Sequence, residues 1–237
     1  MPVIPVGAVL VDFDGTACAH DVAEDLLVAF GEEGWADYDQ LWDRGEISGR
    51  DAISTQAAMV RGTTAELIEF ALGHCAMEPT FAPFLDWLRN LGVPVALVSD
   101  GFGFYIEPLL RSAGIESVDV VTNRWDKDGV GPVRMSFVSG HPECVGCGTC
   151  KMQAVLRYRE RFGPVAFIGD GASDRFGALY ADIVFAKNDL PDYCRADGVP
   201  FIEWRDFDDV RGALERTVTL PGAVSPLRCP GWMLPST

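Results

Sequence analysis

Two carboxylates stand one residue apart at the end of an apolar run. Asp12 and Asp14 follow residues 9–11, which are apolar and rich in β-branched side chains, and Gly15 and Thr16 follow Asp14. The lack of alternation predicts a strand buried on both faces, and open α/β sheets bind ligands at the carboxyl ends of such strands. Two carboxylates this close repel each other unless a cation or a shared proton lies between them. The pattern therefore indicates an active-site edge that holds a hard divalent metal ion.

Ser99, Asp100 and Gly101 follow a second apolar run, residues 93–98. A hydroxyl at a strand end, beside a glycine and the start of a helix, offers hydrogen-bond donors to phosphate oxygens. The alternative interpretation is that Ser99 only caps the helix predicted over residues 102–113.

Lys151 stands at the start of a helix predicted from about residue 150 to residue 162. A lysine at a helix N-terminus opposes the helix dipole, so an anion that needs this charge is one explanation. A solvated side chain is the other.

Asp170 and Asp174 repeat the first pattern, because they follow the apolar run of residues 165–168. We interpret Asp170 as a metal ligand, and Asp174 as a support for the metal or an orienting partner of Lys151. Taken separately, Asp170 is equally typical of a turn and Asp174 of a first helical turn.

The composition restricts the partners. The chain has 237 residues, 48% of them hydrophobic and 23% charged, as expected of one globular domain or of one domain with an inserted lobe. The net charge of −16 argues against nucleic acid, whose binding proteins are basic, and against an anionic membrane surface. A small phosphorylated metabolite remains compatible, since a local metal ion and lysine override the global field.

The sequence also predicts a cytoplasmic protein. We find no apolar stretch long enough to span a bilayer and no basic leader at the N-terminus. The seven cysteines are odd in number and unevenly spaced, which favours reduced thiols over a disulfide framework. We expect a monomer or a homodimer.

Alternating strand and helix patterns over residues 1–16 and 79–216 predict an α/β fold. We expect a three-layer, Rossmann-like parallel sheet with helices on both faces. Residues 17–78 show successive helical patterns without a strand, which predicts an inserted helical cap. Residues 124–139 alternate apolar and polar side chains, as a hairpin does, and residues 217–237 are expected to form an irregular tail.

Taken in chain order, four sets of polar residues resemble motifs I to IV of the haloacid dehalogenase superfamily phosphatases. They are Asp12 with Asp14, then Ser99, then Lys151, and last Asp170 with Asp174. The resemblance implies an Mg²⁺-dependent hydrolysis of a small phosphate monoester, with Asp12 as the nucleophile that forms an aspartyl-phosphate and Asp14 as the general acid and base. It implies that the metal ion is held by Asp12, the Asp14 carbonyl and Asp170, with support from Asp174. The phosphate group would contact Ser99, Asp100, Gly101 and Lys151.

The position of the helical insertion, between motifs I and II, resembles the phosphoserine phosphatase-like branch of this superfamily. That resemblance implies substrate contacts from the cap side by Asp21 and by Gln56. Gln56 stands where phosphoserine phosphatases have an arginine, which is a departure from their pattern. In sequence, residues 12–16, 99–108 and 181–187 most resemble the methionine-salvage 2-hydroxy-3-keto-5-methylthiopentenyl-1-phosphate phosphatases.

The loop before Lys151 contains His141, Cys144, Cys147 and Cys150, each separated from the next by two residues. These are four soft ligands for a structural Zn²⁺ ion. Three successive gaps of two residues are tight for one tetrahedron, so reduced thiols in a compact loop are the favoured interpretation and zinc is the alternative.

Three other functions remain open on the sequence. The sequence is also compatible with a phosphoserine phosphatase, with a catalytically silent phosphate-binding module, and with an enzyme that transfers the phosphoryl group to an alcohol. Turnover of phosphomonoesters and analysis of the products distinguish them.

Overall fold

The structure is a computed structural model that describes residues 4–127, 129, 131, 133–216 and 229. The strands of this part of the chain are β1 Ala8–Val11, β2 Val95–Phe102, β3 Asp119–Lys127, β4 Val133–Ser136, β5 Val165–Gly169, β6 Ile183–Ala186 and β7 Ile202–Glu203. They form one sheet in the order β4-β3-β2-β1-β5-β6-β7. All neighbouring strands are parallel except β3 and β4, which form the predicted hairpin.

The helices surround this sheet. They are α1 Val22–Phe30, α2 Asp37–Asp43, α3 Gly49–Met59, α4 Thr64–His74, α5 Phe81–Asn90, α6 Gly103–Ser112, α7 Lys151–Phe162, α8 Arg175–Ala178, α9 Leu190–Asp197 and α10 Phe207–Arg216. The first four follow one another between β1 and α5, as predicted. The capping boxes Ser48/Asp51 and Thr63/Glu66 start α3 and α4, because each satisfies backbone N–H groups at the helix N-terminus.

Both faces of β1 are buried, which explains its continuous apolar sequence. Val9 and Val11 belong to the core shared with α5, α6 and α10, whereas Ala8 and Leu10 belong to the core shared with α7, α8 and α9. Adjacent residues of a strand point to opposite faces, so these two cores are the two sides of a three-layer α/β fold.

The register of the central strands explains how distant polar residues meet. Val11 pairs with Leu97 of β2 and with Ile168 of β5. Polar residues that follow these three positions therefore leave the sheet at the same level. Since β2 and β5 lie on opposite sides of β1, this edge is the topological switch point where ligands bind in such folds.

Several elements differ from their predicted extents. The strand predicted over residues 93–98 continues to Phe102, and the helix predicted over residues 173–180 is a 3₁₀ turn, Ala172–Asp174, followed by the single turn of α8. Helix α9 was not predicted, because Pro191 and the surrounding polar residues resemble a loop; proline is well tolerated in the first turn of a helix.

The predicted tail, residues 217–237, lies outside the described residues apart from Cys229. In the part of the chain that is described, no helix combines the length and the apolar character that crossing a membrane requires.

Candidate active site

A buried lysine connects two of the strand ends. Lys151, the first residue of α7, is only 2% exposed. Its Nζ donates hydrogen bonds to Asp12 Oδ1 at 2.5 Å, to Asp174 Oδ1 at 2.7 Å and to Ser173 Oγ at 2.9 Å. Burial by itself would lower the pKa of Lys151, but the two carboxylates raise it above its ordinary value. The side chain is therefore an ammonium ion inside the protein, and the alternative of a solvated lysine is wrong.

The loop after β5 is organised by the second oxygen of Asp174. This Oδ2 accepts the N–H groups of Asp170 at 2.8 Å and of Gly171 at 3.1 Å. The Asp170 carboxylate accepts the Thr16 hydroxyl at 3.1 Å and the Asn188 amide at 3.0 Å. Both oxygens of Asp174 thus already have donors, so its position suits an orienting role more than direct metal ligation.

The donor set at this edge fits a hard divalent cation. Asp12, Asp170 and Asp174 each present an oxygen, and these three atoms lie within 4.8 Å of one another. Burial and then the charge of Asp174 raise the pKa of Asp12 and Asp170, so their ionised forms need positive charge nearby. Lys151 pairs with Asp12 and Asp174. Lys187 acts on Asp170 and Asp12 without forming an ion pair with them, so the three carboxylates outnumber the cations. Oxygen ligands with this surplus of negative charge are those that Mg²⁺ prefers.

Asp14 occupies a separate environment. Its Oδ1 accepts the backbone N–H of Val22 at 3.0 Å, and its Oδ2 accepts the hydroxyls of Tyr105 at 3.0 Å and Ser99 at 3.2 Å. Burial, followed by the nearby charge of Asp21, raises the pKa of Asp14 to about 7. The two carboxyl groups of the Asp-x-Asp pair therefore differ: Asp12 is in contact with an ammonium ion, and Asp14 exchanges a proton near neutral pH.

Ser99 lies within β2, and it does not cap a helix. Its Oγ accepts the N–H of Gly101 at 2.9 Å, while the N-cap of α6 is Phe102, so the capping interpretation is wrong. A Cβ at Gly101 would collide with the Tyr105 hydroxyl and the Asp14 carboxylate. Glycine at this position allows the backbone to approach the site closely.

Asp100 was predicted to contact phosphate. It lines the cavity over Asp12 and Asp14, and its side chain faces the loop before α7. Its Oδ1 accepts the N–H of Thr149 at 2.5 Å, and its carbonyl accepts the Asn123 amide at 2.7 Å. A carboxylate cannot donate to a phosphate oxygen. The structure therefore gives the Asp100 side chain a role in holding the loop that carries Lys151.

A cavity of about 340 Å³ opens over Asp12 and Asp14. Its apolar wall includes Leu26, Leu27, Trp42, Phe102, Phe104 and Trp125. A cavity of this size suits a small molecule. It combines an acidic floor at the strand ends with a largely apolar wall.

The two residues predicted on the substrate side, Asp21 and Gln56, both line this cavity. Asp21 caps α1 by accepting the N–H of Glu24 at 2.9 Å. The Gln56 amide nitrogen donates to Asp39 Oδ1 at 2.7 Å and to the carbonyl of Trp35 at 3.3 Å. Gln56 therefore uses its donors within the helical segment.

The arginines nearest in sequence to Gln56 do not face the cavity. Arg50 donates to the carbonyls of Cys147 at 3.1 Å and His141 at 2.9 Å, and Arg61 pairs with Glu32. Among the described residues that line the cavity, none is a lysine or an arginine.

The four predicted zinc ligands line a second, smaller cavity, which Cys229 also lines. They are not gathered as closely as ligands of one ion. Across the described residues, the metal-ligating atoms of three side chains lie within 4.8 Å of one another in two groups, the Asp12 group above and His20, Asp25 and Cys75. None of the seven cysteines, all of which are described, forms a disulfide in this structure.

Some residues at the site carry no clear signal in the sequence. Tyr105 stands at helical spacing among aromatic residues and looks like a core residue, although its hydroxyl contacts Asp14. Asn188, whose amide donates to Asp170, is remote from every motif. Thr16 is different, because its position two residues after Asp14 marks it as part of the first motif. Its hydroxyl donates to Asp170.

Comparison with known proteins is decisive for the family. The sequence model of the haloacid dehalogenase-like hydrolases matches residues 9–176, a segment that contains Asp12, Asp14, Ser99, Lys151 and Asp170. The chain belongs to the haloacid dehalogenase-like hydrolase family. The predicted family is thereby confirmed.

Relatives of this hydrolase act on small phosphorylated compounds, according to their names. It is 26% identical over 208 residues to the 2-hydroxy-3-keto-5-methylthiopentenyl-1-phosphate phosphatase of Brevibacillus brevis, covering 86% of this chain and 93% of the relative. It is 28% identical over 235 residues to the polyol phosphate phosphatase PYP1 of Saccharomyces cerevisiae, covering 89% and 93%.

A longer relative contains a second enzyme. The bifunctional enzyme MtnB/MtnX of Bacillus licheniformis is 28% identical over 221 residues, which cover 88% of this hydrolase. The chain spans about half the length of that relative, 49%.

The fold of this hydrolase matches solved structures. A phosphoserine phosphatase with an analogue of its phospho-aspartyl intermediate superposes with a TM-score of 0.67, covering 88% of this chain and 99% of the other at 20% identity. The predicted α/β fold class is confirmed by this match and by the sheet topology.

The pKa of Asp14 predicts how stability depends on pH. Its folded-state pKa of about 7 exceeds the ordinary 3.8, so the unfolded chain ionises Asp14 more readily. The contribution of Asp14 to stability is full below pH 3.8 and is lost as pH rises to about 7. We expect the free energy of unfolding of the wild type, relative to Asp14→Asn, to fall by at most about 4 kcal/mol over this range. Denaturant titrations at several pH values measure it, and a constant difference would contradict it.

Proposed function

We propose that this protein hydrolyses phosphate monoesters of small metabolites through an aspartyl-phosphate on Asp12, with Mg²⁺ as cofactor. The observation that carries the proposal is the different environment of two carboxyl groups one residue apart. Asp12 contacts the buried ammonium group of Lys151, and Asp14 has a pKa of about 7. A nucleophile must be ionised and a general acid must be protonated. Contact with Lys151 favours the ionised form of Asp12 against burial and Asp174, which raise its pKa, and a pKa of about 7 leaves Asp14 able to hold a proton near neutral pH.

In the first step, a carboxylate oxygen of Asp12 forms a bond to phosphorus and the bond from phosphorus to the ester oxygen breaks. Asp14 gives its proton to that leaving oxygen, which departs as an alcohol. In the second step, water attacks phosphorus, Asp14 takes a proton from the water, and the bond to Asp12 breaks. Inorganic phosphate leaves, and both aspartates return to their first state.

Other residues hold the phosphoryl group during these steps. Lys151 Nζ lies beside Asp12 at 2.5 Å, where it neutralises charge on the phosphate oxygens. The Ser99 hydroxyl, which donates to Asp14 in this structure, would turn to the phosphate when substrate binds and supply a further donor. Donors in place before the chemical step give much of the acceleration in phosphoryl transfer, because they need no rearrangement during the reaction.

Asp12 and Asp170 are the side chains that would hold Mg²⁺, together with the Asp14 carbonyl, and Asp174 would orient Lys151 and the loop of Asp170. When bound, the metal ion supplies positive charge to the phosphate oxygens. Magnesium is typical of this family, and the carboxylate cluster supports its assignment here.

We further propose that residues 1–16 and 79–216 form the catalytic core and that residues 17–78 form a cap over the cavity. The cysteine loop contacts the start of α3, where Gly49 N–H donates to the Gly146 carbonyl at 3.1 Å. A cap over this site would exclude water before the phosphoryl group is transferred.

The lining of the cavity supports a substrate whose organic part carries no negative charge. The described residues of the lining include Asp21 and Asp39 but no cationic side chain. A substrate carboxylate would meet these aspartates without a partner, and an unpaired buried charge costs several kcal/mol. Phosphate esters whose organic part is neutral, such as those of ketones or polyols, therefore fit this cavity better than phosphoserine.

A catalytically silent phosphate-binding module is the second hypothesis from the sequence. The raised pKa of Asp14 and the hydroxyls directed at it are features of proton transfer that binding alone does not need. A cytoplasmic location remains a prediction that rests on the reduced cysteines, and a monomer or homodimer remains a prediction too.

Replacing the nucleophile tests the catalytic proposal. We expect Asp12→Asn to lose at least about 10⁴-fold in kcat, because the covalent route disappears. Asp14→Asn should lose about 10²–10⁴-fold, the usual contribution of a general acid and base. Phosphate release from an aryl phosphate, with and without Mg²⁺, measures both.

Asp208→Asn is the matched control, because Asp208 is exposed in α10 and should leave kcat unchanged. Equal activity in the wild type and Asp12→Asn would overturn the proposed nucleophile. Tight binding of phosphomonoesters without turnover would favour the silent module.

A substrate panel tests the charge argument. We expect kcat/KM for polyol and keto phosphates to exceed that for phosphoserine by at least about tenfold, equivalent to about 1.4 kcal/mol. Adding alcohols and analysing the products detects transfer to an acceptor other than water. A preference for phosphoserine would contradict the interpretation of the cavity.

A further inference from the structure

A fourth cysteine meets the three cysteines of the loop before α7. Cys144, Cys147 and Cys150 line a small cavity, and Cys229, from far beyond in the sequence, lines it as well. Cys229 is buried, belongs to one apolar cluster with Cys150 and Met152, and donates its backbone N–H to the Tyr180 hydroxyl at 3.3 Å. The fold thus places four thiols from two distant parts of the chain around one small cavity, and a bound metal would draw their sulfur atoms closer than the spacing seen in this structure.

The spacing of these cysteines is typical of metal centres. Three cysteines separated by two residues each, with a remote cysteine followed by Pro230, have the pattern found in iron–sulfur proteins. Four cysteine thiolates are also the ligand set of structural zinc sites. We propose that Cys144, Cys147, Cys150 and Cys229 form a four-thiolate site for a soft metal, either Zn²⁺ or an iron–sulfur cluster.

This set differs from the one predicted by the sequence, because Cys229 replaces His141. The Nδ1 atom of His141 accepts the N–H of Glu143 at 3.1 Å, and the His141 carbonyl accepts Arg50 at 2.9 Å. His141 therefore helps to shape the turn that presents the cysteines. Four thiolates form a uniform soft set that Zn²⁺ and iron–sulfur clusters both accept.

The loop already has features of a ligand-presenting turn. The N–H of Gly146 donates to Cys144 Sγ at 3.2 Å, and hydrogen bonds to sulfur are a usual means of tuning metal centres. Arg50 fixes the carbonyl of Cys147 at 3.1 Å, and the N–H of Cys150 donates to the Ser139 carbonyl at 2.9 Å. The backbone is thus fixed on both sides of the cavity.

A metal at this site would act on the active site through one peptide bond. Cys150 is the N-cap residue of α7, and Lys151 is its first helical residue. A ligand bond to Cys150 would fix the start of this helix and, with it, the ammonium group beside Asp12. We assign the metal centre a positioning role for Lys151, separate from the Mg²⁺ site.

The test uses the full-length chain, purified under reducing, oxygen-free conditions. Metal analysis should find one zinc ion per chain, or iron and sulfide in equal amounts together with the visible absorption of an iron–sulfur cluster. These two results distinguish the occupants, and either supports the site. Cobalt added to the metal-free protein should produce the intense absorption of thiolate-to-metal charge transfer. A chain that binds neither zinc, cobalt nor iron–sulfur under these conditions would overturn the site.

Variants test the ligand assignment. Cys144→Ser, Cys147→Ser and Cys229→Ser should each lower metal affinity at least about tenfold, while circular dichroism verifies that each variant folds. Cys194→Ser, at a buried cysteine of α9, should retain the metal. Asp170→Asn should also retain the metal, because Asp170 belongs to the carboxylate site. The thiolate site can therefore fail or hold independently of the proposed phosphatase activity. Unchanged affinity in Cys229→Ser would overturn the four-cysteine set.

Discussion

A buried ammonium group that contacts two carboxylates at once constrains the whole site. Transferring such charges from water costs several kcal/mol per ion, and only close, well-oriented partners compensate for this cost. Lys151 meets Asp12 at 2.5 Å and Asp174 at 2.7 Å, so the end of β1, the start of α7 and the loop after β5 must keep fixed relative positions. The remaining negative charge is what makes a divalent cation fit.

The same edge separates the two aspartates of the first motif. The turn Phe13–Ala17 contains non-helical backbone at Asp14 and Gly15, and Gly15 has a φ of +70°. A Cβ at Gly15 would also collide with the Asp170 carboxylate, so glycine is required on two grounds. This turn directs Asp12 toward Lys151 and Asp14 toward Ser99 and Tyr105, and it thereby gives the two carboxyl groups of the pair different hydrogen-bond partners.

Much of this arrangement is predictable from local patterns. Apolar strands and the residues after them predicted the switch-point edge, because strand register brings Val11, Leu97 and Ile168 level. Contacts that depend on three-dimensional packing were not predictable. Tyr105 has the spacing of a core residue, and only the approach of β2 to β1 brings its hydroxyl to Asp14. Cys229 lies far beyond the cysteine loop in the sequence and joins it only through tertiary contacts.

The central claim is that Asp12 carries the phosphoryl group during turnover, and acid-quenched mass spectrometry tests it most directly. In Asp14→Asn, an aryl phosphate with a good leaving group still forms the intermediate, because its leaving oxygen needs no general acid. Hydrolysis of the intermediate is slow because no general base activates water, so the intermediate accumulates after this substrate is added. The account predicts a phosphoryl group on Asp12 in the peptide that contains residues 9–16, and none in the double variant that also carries Asp12→Asn. Release of phosphate with this peptide unmodified at every time point would contradict the account.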